Sequence, residues 1–423
     1  MAFDRDKLQD DDTFSIELGV SRRSLMKQLS AVGAVSASAG CSSLLQDQGN
    51  KSSGSDENNG GSGSNGGGAG PQDFDYSRIP MIKPPSAPID NTKPATGVAR
   101  RAEFVIQNVA NPFFTPLIAG FNDALNQFGW KGGVTGPSGD TQSQSKQIEI
   151  INTLVDELKS GQDVLVTTIL DRQAYLAPIQ RALDNDIAVV NGHSTPAKKD
   201  WNNDWMREKL TYRDRGVVIP HVGIRDREGG IAMAVEAYKR MQDKLDADEY
   251  KVLIGNGLPG NPAVTRRVDP GARSYLETKD DVTLIDETLD VTTDFAEAQN
   301  RVESRLSADQ DINVVMGAGF WTAVGASQAV ESGSVSRDLV ICGFDLVEAV
   351  LTSIKDGSVD FTMGQDPYGQ GFLNVPLAWM YQERGIEMKH LEFGVTFVDK
   401  ENVEYALQRN TWSELRNWQK SNF

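Results

Sequence analysis

Residues 105–121 read VIQNVANPFFTPLIAGF, and the junction inside them decides the fold. A β-rich run, EFVIQNV, stops at Asn-Pro, and an apolar stripe takes over: Phe114, Leu117, Ile118, Phe121, Leu125 and Phe128 follow helical spacing. Asn111 suits an N-cap and Pro112 the first helical position, where no backbone N–H is needed. Phe113 lies off the stripe. Its ring is either an ordinary surface residue or an aromatic face offered to something in a cleft.

The same strand-to-helix change recurs along the chain. Strands are expected at EFVIQNV, DVLVTTI, IAVVN, VVIPHVGI, YKVLIGN, VTLIDE, INVVMG, DLVICGF, VDFTMG and FGVTFVD. Helices lie between them, as in TQSQSKQIEIINTLVDELKSG, where Ile148, Ile151, Val155 and Leu158 line one face. Strands alternating with helices imply an α/β fold with parallel sheets covered on both sides. About ten strands exceed one comfortable core, so two such domains are expected.

Open parallel sheets bind ligands beyond the carboxyl ends of their strands. The junctions there hold Gln107, Asn111 and Phe113; Thr168 and Asp171; Asn191 and His193; Arg266 and Arg267; Phe320 and Trp321; Phe344 and Asp345; and Gln365. Each has a plainer reading. Asp345 suits a cap for the helix LVEAVLTSIKDG, as Asp366 before Pro367 does for the next one. His193 reads as a loop residue, Thr168 as a β-branched strand residue, and Trp201 with Trp205 as a local packing cluster. Only one of Arg266 and Arg267 need face inward.

Composition removes several function classes. The 423-residue chain carries 59 Asp and Glu against 42 Lys and Arg, a net charge of −17, which argues against nucleic acid as partner. Three scattered histidines and two cysteines, Cys41 and Cys342, give no metal-ligand spacing and no expected disulfide. Neither GxSxG nor HExxH occurs, so no enzyme active site is visible. Gly255-Asn-Gly257-Leu-Pro-Gly260 fits a dinucleotide fingerprint, with Glu277 further on. It sits in the middle of the chain, and Pro259 and Pro262 hinder a smooth run into a helix. No cofactor is expected.

Near the start stands SRRSLMKQLSAVGAVSASAGC, residues 21–41. The pair Arg22-Arg23, a weakly apolar run and a cysteine come in the order of a twin-arginine export signal, which the segment resembles. Ser38-Ala39-Gly40-Cys41 looks like a lipobox, implying lipid attachment at Cys41. Between Ser42 and Gln72, 20 of 31 residues are Gly, Ser or Asn, too little apolar surface for a core, and this reads as a flexible tether. The expected location is outside the cell, anchored to the outer face of the cytoplasmic membrane.

NVANPFFTPLIAG, LVTTI, AVVN, GLPGNPAVTRR, VVMGAGFWTAVGA, CGFD and TMGQDPYGQG recur in an order that resembles the ribose-type sugar-binding proteins of ABC importers. The likeness covers about residues 100 to 398. It implies the type I periplasmic-binding-protein fold: two Rossmann-like lobes with parallel sheets, joined by a three-strand hinge. The implied division is 1–40 signal, 41–97 tether, 98–225 plus 366–395 first lobe, and 226–365 plus 396–423 second lobe. Crossings are expected near Ile224 to Asp226, Gly364 to Asp366 and Val395 to Asp399.

By the same resemblance Phe113 and Phe114 sandwich a sugar ring with Phe344 opposite, while Asn111, Asp345 and Gln365 bond its hydroxyls. Arg267 would meet the ring oxygen and Phe295 would close the pocket; Gln107, Thr168 and Asn191 join the expected ligand set from their places at strand-to-helix junctions. Where family members often carry Asp-Arg after the third strand this chain has Asn191-Gly192, and where they often carry Asn-Asp it has Gly319-Phe320. A less hydroxylated ligand is therefore open. A monomer that delivers a monosaccharide or related polyol to an ABC permease is the expected activity. A sensor of the same fold for a membrane receptor, or a binder of a non-sugar small molecule, remains the alternative.

Overall fold

A computed structural model describes residues 100–138, 143–195, 219–384, 386 and 388–410. The expected signal with Arg22, Arg23 and Cys41, the tether, Trp201 with Trp205, and the segment from residue 411 lie outside the described residues.

Alternation along each strand builds two sheets with apolar residues on both faces. Phe104, Val164, Val166, Ala188 and Val190 point into one core, whereas their neighbours Val105, Leu165 and Val189 point into another. In the second sheet Val252, Ile254, Val314 and Met316 face one way and Leu253 and Val315 the other. That pattern suits strands buried between two helical layers.

The first sheet holds β1 (Arg101–Val105), β2 (Lys131–Thr135), β3 (Val164–Thr167), β4 (Ala188–Gly192), β5 (His221–Ile224) and β12 (Leu391–Phe393), in the order β12-β5-β4-β3-β1-β2. All its pairings are parallel. The second runs β13-β11-β10-β9-β6-β7, with β6 at Tyr250–Asn256, β7 at Val282–Leu284, β9 at Ile312–Gly317, β10 at Val340–Phe344, β11 at Phe361–Gly364 and β13 at Thr396–Asp399. The short β8 (Leu289–Asp290) also pairs with β6, and β13 alone is antiparallel to its neighbour, β11. Both sheets lie within one compact unit.

The backbone passes from the first sheet to the second between β5 and the helix Asp226–Lys244. It passes back after β11, into the helix Pro367–Phe372, and over again between β12 and β13. Several elements differ from the sequence reading. The run EFVIQNV leaves the sheet after Val105, and FGVTFVD divides between β12 and β13, so its two halves belong to different sheets. The edge strand β2, KGGVT, carries no apolar run that would have marked it.

Two glycines fix how the returning chain seats on the first lobe. A Cβ on Gly120 would overlap the carbonyl of Tyr368, and one on Gly371 the carbonyl of Leu117. The helices Phe114–Phe128 and Pro367–Phe372 therefore touch backbone to backbone. Gly371→Ala is expected to lower stability by about 1–3 kcal/mol in urea denaturation, through overpacking. Gly260→Ala, where an added methyl meets nothing within 4 Å, should stay within about 0.5 kcal/mol of the parent.

Candidate functional site

Strand ends from both sheets converge on one cleft. It is lined by Gln107, Asn111, Phe113, Phe114 and His193 from the first lobe and by Leu258, Asn261, Val264, Arg267, Gly319, Trp321 and Asp345 from the second, with Gln365 on the returning crossover. The space enclosed is about 320 Å³, its open mouth included.

The first wall is aromatic. Asn111 does not cap the helix; its Oδ1 accepts from the Phe113 backbone N–H at 3.0 Å, closing a turn that precedes a helix beginning at Phe114. Pro112 accordingly stands before the helix and not in its first turn. This turn places Phe113 edge-on to Phe114, ring centroids 5.1 Å apart, and 4.8 Å from the His193 ring. Phe113 is buried, and it lines the cleft rather than solvent.

Arg267 organises the second wall. Only 2% exposed, it donates from Nε to Asp226 Oδ1 at 3.1 Å, from Nη1 to the Ala318 carbonyl at 3.1 Å and from Nη2 to Gln365 Oε1 at 2.8 Å. Its guanidinium lies 4.5 Å over the Phe344 ring. Gln365 turns its Nε2 to Asp345 Oδ1, so the amide bridges a cation and an anion that face the same cleft. Arg266 points elsewhere, to the Thr195 carbonyl at 2.8 Å and Asp226 Oδ2 at 3.1 Å. Of the two arginines, Arg267 lines the cleft.

Asp345 is not a cap: the helix Glu348–Asp356 starts after Val347 and has no side-chain cap. Asp345 instead sits at φ 79° with its backbone N–H donating to the Met363 carbonyl and its carbonyl accepting from Thr362. Burial raises its pKa, against the opposing pull of Arg267 and Gln365. Asp366 does cap its helix, through Gly369, at φ 50°. With His193 at φ 69°, two of the five described non-glycine residues with positive φ line this cleft, and Asp366 follows its lining residue Gln365, the kind of local strain that functional junctions retain.

Four of the residues in the expected ligand set lie off the cleft lining. Phe344 is wholly buried behind Arg267, and Trp321, stacked at 4.0 Å on Phe320, takes the position facing the cleft. Phe295 is 38% exposed and packs on Phe320 at 5.8 Å. Thr168 is held inward by Gln147 Nε2 at 2.8 Å, and Asn191 accepts from the Ile169 N–H at 3.2 Å. Both are strand-end side chains that brace loops.

In the sequence His193 stands at a junction but reads as a loop residue, and Leu258, Asn261 and Val264 are passed over as cleft residues. His193 had a usable signal, since it follows the β4 terminus directly. The other three lie in GNGLPGNPAV, where the dinucleotide pattern draws attention to the glycines. Two of those glycines serve packing: a Cβ on Gly255 would come within 2.5 Å of the Thr322 side chain, and one on Gly257 within 2.6 Å of the Thr292 carbonyl and 2.7 Å of the Trp321 ring. Asn261 caps the helix Pro262–Arg266 through its Oδ1. Among the described residues there is no cluster of three or more His, Cys, Asp or Glu able to hold a metal ion, and no helix long and apolar enough to cross a membrane.

Residues 102–385 match a family described as the periplasmic binding protein domain. The chain is similar to the xylose/arabinose-binding protein XylF of Sulfolobus acidocaldarius, 22% identical over 320 residues that cover 71% of each chain. It is also similar to the D-ribose/D-allose-binding protein of Pseudomonas aeruginosa, 24% identical over 66% of this chain and 81% of that one. Among solved structures, an ABC transporter solute-binding protein of Actinobacillus succinogenes with bound D-allose has a TM-score of 0.62 at 18% identity, covering 72% of this chain and 99% of its own. One of Bacillus halodurans with bound myo-inositol has a TM-score of 0.60 at 19% identity, covering 73% and 98%.

Replacing Arg267 by Met leaves the Asp226 carboxylate with half its ion pairing and Gln365 without its donor. A loss of about 3–5 kcal/mol is expected in urea denaturation; a change below about 1 kcal/mol would show that the pair does not organise this wall.

Proposed function

Because the chain belongs to the periplasmic binding protein domain family, we propose that it is an extracytoplasmic lipoprotein that captures a monosaccharide or related polyol between its lobes and delivers it to an ABC importer. The observation that carries this reading is the pairing in one cleft of Phe113 and Phe114 from one lobe with Trp321 from the other, rimmed by Arg267, Asp345 and Gln365. A sugar ring has apolar C–H faces and a hydroxylated edge, so flat aromatic walls and charged or amide rims complement it. Xylose, arabinose, ribose and allose figure in the names of its relatives, and the family binds substrates rather than transforming them.

Closure follows from the topology. The chain passes between the two sheets after Ile224, after Gly364 and between Phe393 and Thr396, and Asp226 and Gln365 from the first two passages both bond Arg267 in the cleft wall. A ligand touching both walls stabilises the closed arrangement, which then docks on the permease. The arginine pair, the lipobox-like Ser38-Ala39-Gly40-Cys41 and the Gly-rich stretch support export and tethering at the membrane face.

A thermal-shift screen of monosaccharides, polyols and nucleosides on the full chain tests the ligand class. Stabilisation by pentoses, hexoses or inositols supports it, and stabilisation by nucleosides alone would replace it. For the ligand so found, Asp345→Ala is expected to weaken binding by about 1–3 kcal/mol in calorimetry, because ligand hydroxyls lose a buried acceptor. Unchanged affinity would remove Asp345 from the binding set.

A further inference from the structure

All three histidines of the chain belong to one hydrogen-bonded chain. His193 lines the cleft, the carbonyl of His193 pairs with His221 Nε2 at 2.8 Å, and the His221 backbone N–H donates to His390 Nδ1 at 2.9 Å. The His193 ring itself pairs through Nδ1 with Gln370 Oε1 at 2.8 Å. The orientation of Gln370 is set from its other end, where Nε2 donates to the Gln365 carbonyl at 2.7 Å. A carbonyl can only accept, so Nε2 must be the atom on that side and Oε1 the atom facing His193. The proton of the neutral ring therefore sits on Nδ1, and Nε2, which has no hydrogen-bond partner among the described residues, keeps its lone pair.

Resting on the sugar-binding reading, we infer that Gln370 is a positioning residue: it holds His193 in the Nδ1–H form, so that the first lobe offers Nε2 as an acceptor for a ligand hydroxyl.

Gln107 belongs to the same wall, and its Oε1 is buried without a hydrogen-bond partner among the described residues. An acceptor at His193 Nε2 selects a ligand that donates a hydroxyl, and it disfavours a carboxylate or phosphate on that side. The charged and titratable groups acting on His193 are Arg267 and His221, which disfavour its cation, and Asp226, which favours it. Asp345 faces the same cleft. Burial outweighs them and pushes the imidazole down to about 4, so the ring stays neutral above that pH.

The test uses the full chain labelled with ¹⁵N-histidine; three imidazoles are few enough to assign by single His→Gln substitutions. At pH 7, His193 is expected to show a protonated Nδ1 and an unprotonated Nε2, while His221 shows the opposite form because its Nε2 donates to a carbonyl. An Nε2–H form or a rapid tautomer average at His193 overturns the inference. The second arm measures affinity for D-xylose, D-arabinose, D-ribose, D-allose and myo-inositol between pH 5.5 and 8.

Wild-type affinity should be flat over that range. In Gln370→Glu a carboxylate holds the Nδ1 proton and raises the imidazolium pKa, so Nε2 becomes protonated as the pH falls, and affinity at pH 5.5 should be at least tenfold weaker than at pH 8. A flat profile in a variant whose spectrum shows the imidazolium overturns the role given to Nε2. If none of these compounds binds the wild-type chain, the sugar reading fails, while the spectrum still decides the tautomer.

Discussion

A buried ion pair, Asp226 with Arg267, holds the second wall of the cleft in place. Two desolvated charges cost several kcal/mol each unless their hydrogen bonds are completed. Here Gln365, the Ala318 carbonyl, Arg266 and the Phe344 face supply the partners. The contributors come from segments far apart in the chain: one crossover, the helical segment after β6, the loop after β9, the end of β10, and the returning crossover. The pair therefore joins the passages between lobes to the surface that would meet a ligand. A hydrophobic pair of equal volume could stabilise the fold as well, but it could not aim Gln365 and Asp345 into the cleft.

The first wall rests on steric rather than ionic constraint. The Asn111 turn sets the direction of Phe113, and helix 114–128 is pressed against helix 367–372 by glycine-to-carbonyl contact. His193 in the left-handed region then completes a three-ring face with Phe113 and Phe114. The chain Gln370, Gln365, Asp345 ties this face to the charged wall, since Gln370 bonds His193 on one side and the Gln365 backbone on the other. The two halves of the cleft are thus positioned by one continuous set of polar contacts.

Much of this architecture was legible from residue pattern. Alternating strands and helices gave two parallel sheets, and Asn111, Phe113, Gln365 and Asp366 stood visibly at junctions. Strand β2 was hidden because an edge strand with two glycines has no hydrophobic signature. The direction of a side chain at a strand end was not readable either: Thr168, Asn191 and Phe344 sit at the right level but turn into loop braces or behind Arg267. A one-residue step reverses the face presented, and from pattern alone Phe344 and Trp321 were equally good aromatic candidates. Asn261, Leu258 and Val264 needed the folded course of the loop after β6 to be seen as neighbours of Asp345.

The most direct test of the central claim is a crystal structure of the full chain grown with D-arabinose. The account requires the sugar ring between the Phe113 and Trp321 side chains, with hydroxyls in hydrogen-bond reach of Arg267 and Asp345 while Arg267 stays paired with Asp226. A sugar bound elsewhere, or bound in the cleft with the Asp226 pair broken, would contradict it.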